Sequence, residues 1–381
     1  MKIHSQRIRP GAVPEGPPAG AGLALVFADQ SFFADAGFLD ALGEAFAGVP
    51  LVGCSTAGEI LGVEVTSHTA VIACLVFGAP DSRAEIAVTR IAGMPDSQSA
   101  GERLGAKLPH DSLAGVLLFG TGVAVNGSAL VAGLAGVLPR GCGVFGGLAG
   151  DNGQFVKTWT LADGVASDDT IVAVGLYGSS LRLGNGSYGG WEPFGPLRKV
   201  TRAEQNMLYE LDGERALDIY RRYLGEYAAD LPGSGLLFPF EMQPGKDAAN
   251  RVIRTILGID EQTGALLLAG DVDPDGYLRL MHASTEHLIA GAGEAALLAA
   301  RSIMACTGER LALLVSCVGR RLVMGERVDE EVEEVAGIFG ASTVCCGFYS
   351  NGEISPVPGS AGSLLCNQTM TITLLGEAVG E

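Results

Sequence analysis

The chain has 381 residues, of which 48% are hydrophobic and 18% are charged, and its 43 acids against 25 bases give a net charge of -18. This charge would repel phosphate backbones and anionic lipid headgroups, so nucleic acids and membrane surfaces are disfavoured as partners. The length exceeds what one core usually organises, which predicts two domains, each able to bury an interior.

Cysteine and histidine usage points to a reducing compartment and away from metals. None of the eight cysteines forms a C-x-x-C pair, although Cys345 and Cys346 are adjacent. The first 20 residues lack the apolar core of a signal peptide, so we expect reduced thiols in the cytoplasm. The five histidines are not grouped at ligand spacing, and we expect neither a metal site nor a cofactor.

The first part of the chain predicts a βαββ unit after a flexible segment over residues 1–20. "AGLALVFAD" is a strand pattern, and a helix with an apolar face follows it. The strands "PLVGCSTAGE" and "TAVIACLVFG" complete the unit. The next part of the chain repeats this order of one strand, one helix and two strands.

A second βαββ unit repeats this order with "AGVLLFGTG", a helix near residues 126–137, "GCGVFGGLAGD" and "TIVAVGLYG". Residues 112–139 carry no charge and have the length of a membrane span. However, "GTG" and "NGS" interrupt the stretch, which favours a buried strand, a loop and a helix. We therefore expect no membrane insertion.

The turn-rich residues 184–196 are expected to link the two domains, which cover residues 21–183 and 197–381. The region after the linker is divergent and is interpreted as a remodelled fourth unit. A third unit follows, with "LALLVSCVGR", the acidic helix "DEEVEEVAGIF", "STVCCGFYSNGE" and "NQTMTITLLGE". The predicted fold is mixed α/β, with repeated βαββ units forming two sheet-and-helix domains.

Each unit has a turn with a glycine and an acid after an apolar strand: Ala57-Gly58-Glu59, Ala149-Gly150-Asp151 and Asn351-Gly352-Glu353. A glycine there can adopt positive φ and lets a ligand approach the main chain. Alternatively, the glycines only permit tight turns and the acids cap the backbone that follows.

Candidate binding residues lie on these turns. The first turn offers Cys54, Ser55, Thr56 and Glu59, whose hydroxyls and carboxylate suit a small polar ligand. Catalysis by Cys54 is the alternative, but no histidine or triad partner accompanies it at a recognisable spacing. The second turn adds two more candidates, Gly147 and Asp151.

The C-terminal half contributes "SCVGRR", with Cys317, Gly319 and Arg320, and "GFYSNGEISP", with Tyr349 and Glu353. An arginine here could grip a carboxylate bidentately while the acids hold an ammonium group, which is the charge pattern of an α-amino acid. The pattern does not decide whether Arg320 or Arg321 faces the pocket, and either could instead pair with the acidic helix.

The motifs "GCSTAGEI", "GGLAGD", "SCVGRR" and "GFYSNGEISP", with "VTRAEQNMLYELDGERALDIYRRYL" between them, resemble those of the FIST family, named for F-box and intracellular signal transduction. Asn351 stands where an aromatic residue is expected. The resemblance implies an N-terminal and a C-terminal FIST domain in a sensory protein that binds small molecules such as amino acids. It also implies a signalling partner such as a histidine kinase or a chemotaxis receptor.

Three hypotheses follow for function. The first is a cytoplasmic sensor whose glycine-turn loops enclose a small polar ligand, with an amino acid as the leading candidate. The second is a hydrolase or transferase with Cys54 or Cys317 as nucleophile, and the third is an interaction scaffold without a ligand.

Overall fold

A computed structural model describes residues 1–246, 251–357 and 362–378. The helices of these residues are α1 (Gln30–Ala34), α2 (Ala36–Ala45), α3 (Ser97–Lys107), α4 (Gly127–Val137), α5 (Ala216–Leu224), α6 (Thr285–Ser302), α7 (Val318–Met324) and α8 (Asp329–Phe339). The strands that lie in the first half of the chain are β1 (Lys2–Ile8), β2 (Leu23–Ala28), β3 (Leu51–Ser55), β4 (Glu59–Leu61), β5 (Glu64–Thr66), β6 (Ala70–Val76), β7 (Arg83–Arg90), β8 (Leu113–Gly120), β9 (Gly143–Leu148), β10 (Thr160–Ala162), β11 (Val165–Ser167) and β12 (Thr170–Tyr177). The remaining strands are β13 (Leu181–Tyr188), β14 (Glu192–Glu204), β15 (Met207–Leu211), β16 (Glu214–Arg215), β17 (Phe240–Gln243), β18 (Val252–Arg254), β19 (Ile256–Asp260), β20 (Ala265–Leu268), β21 (Tyr277–His282), β22 (Thr307–Cys317), β23 (Thr343–Ser350), β24 (Gly352–Pro356), β25 (Ser363–Cys366) and β26 (Met370–Glu377).

Three six-stranded sheets share one topology, and this confirms the three predicted units. Their strand orders are β1-β6-β2-β3-β10-β11, β7-β12-β8-β9-β24-β25 and β13-β26-β22-β23-β4-β5. Each has a central parallel pair, β2 with β3, β8 with β9 and β22 with β23, joined through helices. The last strand of each unit runs antiparallel beside that pair. The mixed α/β fold is therefore as predicted.

The units exchange their hairpins in a cycle. The β4–β5 hairpin of unit one adds to β23 of unit three, and the β10–β11 hairpin of unit two adds to β3 of unit one. The β24–β25 hairpin of unit three then adds to β9 of unit two. Each sheet is thus completed by a neighbouring unit, and the two halves of the chain are interlocked.

One apolar core lies among the three sheets and draws residues from every unit. Phe27 of unit one stacks on Phe348 of unit three with ring centroids 4.7 Å apart, and its edge meets Phe119 of unit two at 5.7 Å. Such aromatic contacts add about 0.5–1.5 kcal/mol each beyond the burial of their area. The helices cover the outer faces of the sheets and form further apolar clusters there.

An eight-stranded antiparallel sheet, built from β14 to β21 and packed on α5, is inserted into unit three between β13 and α6. The interpretation of this region as a fourth unit is wrong, because the sheet contains no parallel pair among its described strands. The long helix α6 packs instead on β13 and β26 of unit three.

Two segments differ from the predictions of a flexible segment over residues 1–20 and a linker over residues 184–196. Lys2–Ile8, within the segment expected to be flexible, forms β1 on the edge of the first sheet, because Ile3 and Ile8 are buried there. Residues 184–196 contain the end of β13 and the start of β14, separated only by residues 189–191. The uncharged residues 112–139 form β8, a loop and α4, as predicted, and among the described residues no helix is long and apolar enough to cross a membrane.

Candidate functional site

The three predicted turns meet at the centre of the molecule through a cycle of main-chain hydrogen bonds. Each unit donates one N–H to the next: Ala57 to Tyr349 at 2.8 Å, Gly150 to Ser55 at 2.8 Å and Asn351 to Leu148 at 3.2 Å. The cycle brings together the turns that the sequence singled out. It also corrects their alignment, because Gly150 and not Ala149 occupies the position of Ala57.

Glu59 follows the first turn and is buried, with 1% of its surface exposed. Its carboxylate accepts hydrogen bonds from the Thr56 hydroxyl and from both the main-chain N–H (3.1 Å) and the hydroxyl (2.8 Å) of Thr69. The carboxylate therefore ties the turn to the start of β6.

Glu353 repeats this arrangement in unit three. It is fully buried and accepts hydrogen bonds from the Ser350 hydroxyl at 2.8 Å and from the N–H (3.1 Å) and hydroxyl (2.9 Å) of Thr369. The two acids also occupy the same register, Glu59 opposite Phe348 and Glu353 opposite Gly147.

Unit two replaces this acid by a threonine. Thr160 stands opposite Cys54, in the register of the two glutamates, and its hydroxyl lies 2.7 Å from the hydroxyl of Thr170. Asp151, the predicted equivalent, instead accepts main-chain N–H groups of residues 155–157 and closes the longer loop of this unit. The acid in this turn thus has the capping role that was the alternative interpretation.

Burial dominates the electrostatics of both glutamates. Removing the carboxylates from water raises the pKa of Glu59 and of Glu353 to about 7, although the hydroxyl and N–H donors favour the charged form. Both side chains are therefore able to change protonation state near neutral pH.

Sequence reasoning missed the threonines that open the last strand of each unit, namely Thr69, Thr170 and Thr369. A threonine recurs at the start of the last apolar strand of each unit, and this recurrence could have identified the three residues from the sequence. It also missed Asp29, which lies 3.2 Å from His68 and accepts a hydrogen bond from Asn152 at 2.9 Å beside the Glu59 turn.

The cysteines of the predicted site are poorly suited to nucleophilic catalysis. Cys54 lies in the shared core, and burial raises its pKa well above the ordinary value. Cys317 is 3% exposed, and burial followed by the nearby Glu353 charge raises its pKa strongly as well. Both thiols are held in the protonated, unreactive form.

The remaining residues of the first two turns have packing roles. The Ser55 hydroxyl donates to the Gly150 carbonyl at 2.7 Å and accepts from the N–H of Trp159 at 2.9 Å. Gly147 admits Val315, whose side chain lies 2.7 Å from the point that a Cβ would occupy. Neither residue is left with a free group directed at a cavity.

Arg320 is fully buried and pairs with Glu331 of the acidic helix α8 at 2.6 Å. Its guanidinium also donates to the carbonyls of Gly189 and Leu288, and the Tyr349 hydroxyl donates to the same glutamate. Arg320 and Tyr349 are therefore occupied by one internal network, which is the ion pair that the sequence left as the alternative.

Arg321 turns the other way and joins the first turn to unit three. Its guanidinium donates to the Ala57 carbonyl and to the Ser67 hydroxyl, and it lies 5.8 Å from the centre of the Tyr349 ring. Gly319 lies against Gln368, whose amide is 2.3 Å from the point that a Cβ would occupy. Both residues help to close the central turns.

A cavity of about 320 Å³ opens between unit three and the inserted sheet, and we call it the Thr369 cavity. Its lining includes Thr369 and Trp191, together with Glu241 and Arg251 from the region of the inserted sheet. Glu241 is held by Arg279 at 2.6 Å and lies 3.5 Å from the Arg251 guanidinium. This cavity contacts the Glu353 network through Thr369, and its volume suits a small ligand.

In the described parts of the chain, no three His, Cys, Asp or Glu side chains are grouped as ligands for a metal ion. The buried acids instead use their oxygens for hydroxyl and N–H donors. The site is thus a set of hydrogen-bonded carboxylates beside a cavity.

Comparison with family models covers nearly the whole chain. The FIST N domain matches residues 22–214, and the FIST C domain matches residues 216–356. The chain belongs to the FIST family. Domains of this family are sensor domains of signal-transduction proteins, which assigns the protein to that functional class.

A relative of this FIST protein is the uncharacterized protein MJ1623 of Methanocaldococcus jannaschii, which is 38% identical over 85 residues. The match covers 22% of this chain and 16% of the archaeal protein, so the chain spans about a sixth of that relative. It supplies no activity, substrate or partner.

Two solved enzymes align over almost the full length of the FIST chain at low similarity. A chorismatase has 10% identity, 98% coverage of both chains and a TM-score of 0.35. A cyanuric acid hydrolase from A. caulinodans has 11% identity, 99% coverage of both chains and a TM-score of 0.34. With scores this low, neither comparison bears on the fold or the activity of this protein.

Proposed function

We propose that this FIST protein is a cytoplasmic sensor that binds a small polar molecule, with an α-amino acid as the leading candidate, in the Thr369 cavity. The observation that carries the proposal is the hydroxyl of Thr369, which lines the cavity while it donates to the buried Glu353 at 2.9 Å. The hydroxyl oxygen is thereby oriented to accept a hydrogen bond from a ligand ammonium group.

The part of the cavity lined by the inserted sheet suits the carboxylate of such a ligand. Arg251 lies there, and the nearby Glu241 is already held more closely by Arg279 than by Arg251. A guanidinium can bind a carboxylate through two parallel hydrogen bonds. We propose that Arg251, which also pairs with Glu241 at 3.5 Å, binds the ligand carboxylate, the role that the sequence left open between Arg320 and Arg321.

The size and position of the cavity fit a sensor. A ligand of about ten non-hydrogen atoms can reach micromolar affinity, near -8 kcal/mol, within ordinary ligand efficiency. The cavity lies between unit three and the inserted sheet, so a ligand that prefers a closed arrangement would shift these two parts relative to each other. We propose that a signalling protein, such as a histidine kinase or a chemotaxis receptor, detects this shift by contact.

A thermal-shift screen against the twenty amino acids and small carboxylates tests the proposal. A ligand at a hundred times its Kd adds about 2.7 kcal/mol of stability, which raises Tm by several degrees. We expect a selective shift that Thr369→Val abolishes. Thr69→Val is the matched control. Thr69 donates an equivalent hydrogen bond to the buried Glu59 in unit one, but it does not line the Thr369 cavity.

Three results would count against the proposal. The absence of a shift with every compound would favour the ligand-free scaffold. Equal loss of the shift in Thr69→Val and Thr369→Val would mean that the threonines act through folding and not through ligand contact. A thiol-dependent turnover lost in Cys54→Ser or Cys317→Ser would instead support the enzyme hypothesis.

A further inference from the structure

Arg254, at the end of β18, is a buried arginine without an ion-pair partner among the described residues. It is 6% exposed, and within the described residues its guanidinium donates to main-chain carbonyls: Nε to Asp271 at 3.0 Å and Nη1 to Ile253 and Leu365, both at 3.2 Å. No hydrogen bond from its Nη2 is formed within the described ranges. This contrasts with Arg320, whose buried charge is neutralised by Glu331.

A buried charge that lacks a counterion is costly, and it is usually paired or bound to a ligand. Burial accordingly lowers the pKa of Arg254. The charge of the nearby Asp271 offsets part of this effect. A bound anion in contact with the guanidinium would offset more of it.

A second cavity, of about 300 Å³, adjoins this guanidinium, and we call it the Arg254 cavity. One wall is α4 of the N-terminal half, with Val131 and Ala132, and the other is formed by the C-terminal half, with Met242, Val272 and Leu364. The cavity thus lies between the two halves of the chain, and much of its wall is aliphatic.

Ser128, in the first turn of α4, supplies a second donor. Its hydroxyl is buried and has no hydrogen-bond partner in the part of the chain that is described. Gly270 allows the two donors to approach, since a Cβ there would lie 3.1 Å from both Ser128 Oγ and Arg254 Nε. The N-terminus of α4 carries partial positive charge, although the Asn126 side chain already accepts the N–H of Ala129 at 3.1 Å.

Two acids on the rim limit the charge of the ligand. Asp271 accepts a hydrogen bond from Asn126 at 2.8 Å, and Asp273 accepts one from the N–H of Asp275 at 2.9 Å. Both line the cavity. Their charges oppose phosphate or a dicarboxylate more strongly than a single carboxylate.

We infer that the Arg254 cavity is a second binding site, which takes a small monocarboxylate with an aliphatic chain. The carboxylate binds Arg254 Nη2 and the Ser128 hydroxyl at the N-terminus of α4, and the chain packs on the aliphatic wall. This site is separate from the Thr369 cavity. Val252 and Ile253 line that first cavity, whereas the next residue of the same strand, Arg254, lines the second.

Titration calorimetry with butyrate tests this site, with acetate, succinate and phosphate as comparison ligands. We expect one butyrate per chain and weaker binding of acetate, by about tenfold, because acetate buries two fewer CH₂ groups. Arg254→Met should weaken butyrate at least about tenfold, since it removes a charge-assisted hydrogen bond. Succinate and phosphate should bind more weakly than butyrate.

Further variants separate ligand contact from folding. Ala132→Leu places extra atoms in the cavity and should abolish butyrate binding. Ser128→Ala removes one donor and should weaken butyrate binding. These two variants test the site even if Arg254→Met does not fold. Arg327→Met, at a surface ion pair that lines neither cavity, should leave butyrate affinity unchanged. Absence of butyrate binding, equal affinity in the Arg254 or Ala132 variant, or tighter binding of phosphate than of butyrate would overturn the inference.

Discussion

Substitutions in the pair of Arg320 and Glu331 test whether this arginine has a structural role or binds ligand. Both side chains are fully buried, and Glu331 accepts hydrogen bonds from Arg320 and, at 2.9 Å, from Ser316. Removing one partner of a buried pair leaves the other charge uncompensated, which costs about 3–5 kcal/mol. Arg320→Met also leaves the carbonyls of Gly189 and Leu288 without their guanidinium donors.

We therefore expect Arg320→Met and Glu331→Leu each to lower the free energy of unfolding by about 3–5 kcal/mol. For a chain of this length, this corresponds to a fall in Tm of about 4–6 °C. The double variant should cost less than the sum of the two, because no unpaired charge remains. Urea unfolding of the four proteins measures this coupling.

Arg327→Met is the control for Arg320→Met. Arg327 pairs with Glu286 and Glu330 at the surface, and such pairs contribute about 0–1 kcal/mol. If Arg320→Met were no more destabilising than Arg327→Met and yet abolished the ligand response, the structural role would be refuted and the sequence-based assignment restored.

The remaining predictions concern protonation and thiols. Burial raises the pKa of Glu59 and Glu353 from 4.5 to about 7. Between these two pH values the glutamates are protonated in the folded state and ionised in the unfolded chain. Their stabilising contribution is present below the unfolded pKa and is lost as pH rises through about 7, by about 3 kcal/mol each. The urea midpoint of the wild-type protein should fall between about pH 5 and about pH 8. In the double variant Glu59→Gln/Glu353→Gln it should fall less steeply. An equal dependence on pH in both proteins would contradict the assignment of the raised pKa values to these two glutamates. With a thiol reagent, native protein should react first at the partly exposed Cys142 and Cys306, while the six buried thiols react only after unfolding; rapid modification of Cys54 would contradict its burial.

The repeat was readable from the sequence because each unit buries the same alternation of apolar strands and helices. The pattern placed the acidic helix at Asp329–Phe339 and the uncharged stretch in a strand, a loop and a helix. It also placed Glu59 and Glu353 at corresponding turns, since both follow a glycine after a buried strand. Strand periodicity and turn residues depend on neighbouring residues, so they can be recognised in a single sequence.

The error at Asp151 shows where local patterns stop being informative. The string Ala149-Gly150-Asp151 matches the other turns by residue type, but the hydrogen-bond cycle pairs Gly150 with the position of Ala57. The loop that follows in unit two is longer, and only the pairing of β10 with β3 reveals Thr160 as the counterpart of Glu59. Register across distant strands is a tertiary property.

The amino-acid sequence by itself determined the units, their repeated turns and the identity of the buried acids, because those features depend on neighbouring residues. Tertiary structure alone decided which unit completes each sheet and how the buried arginines are bound, since Arg320 donates to Gly189 and Arg254 donates to Leu365, both in remote segments. Both cavities likewise arise where the inserted sheet packs on the repeats. A charge can be read from one residue, but its counterion and its exposure depend on how the whole chain packs.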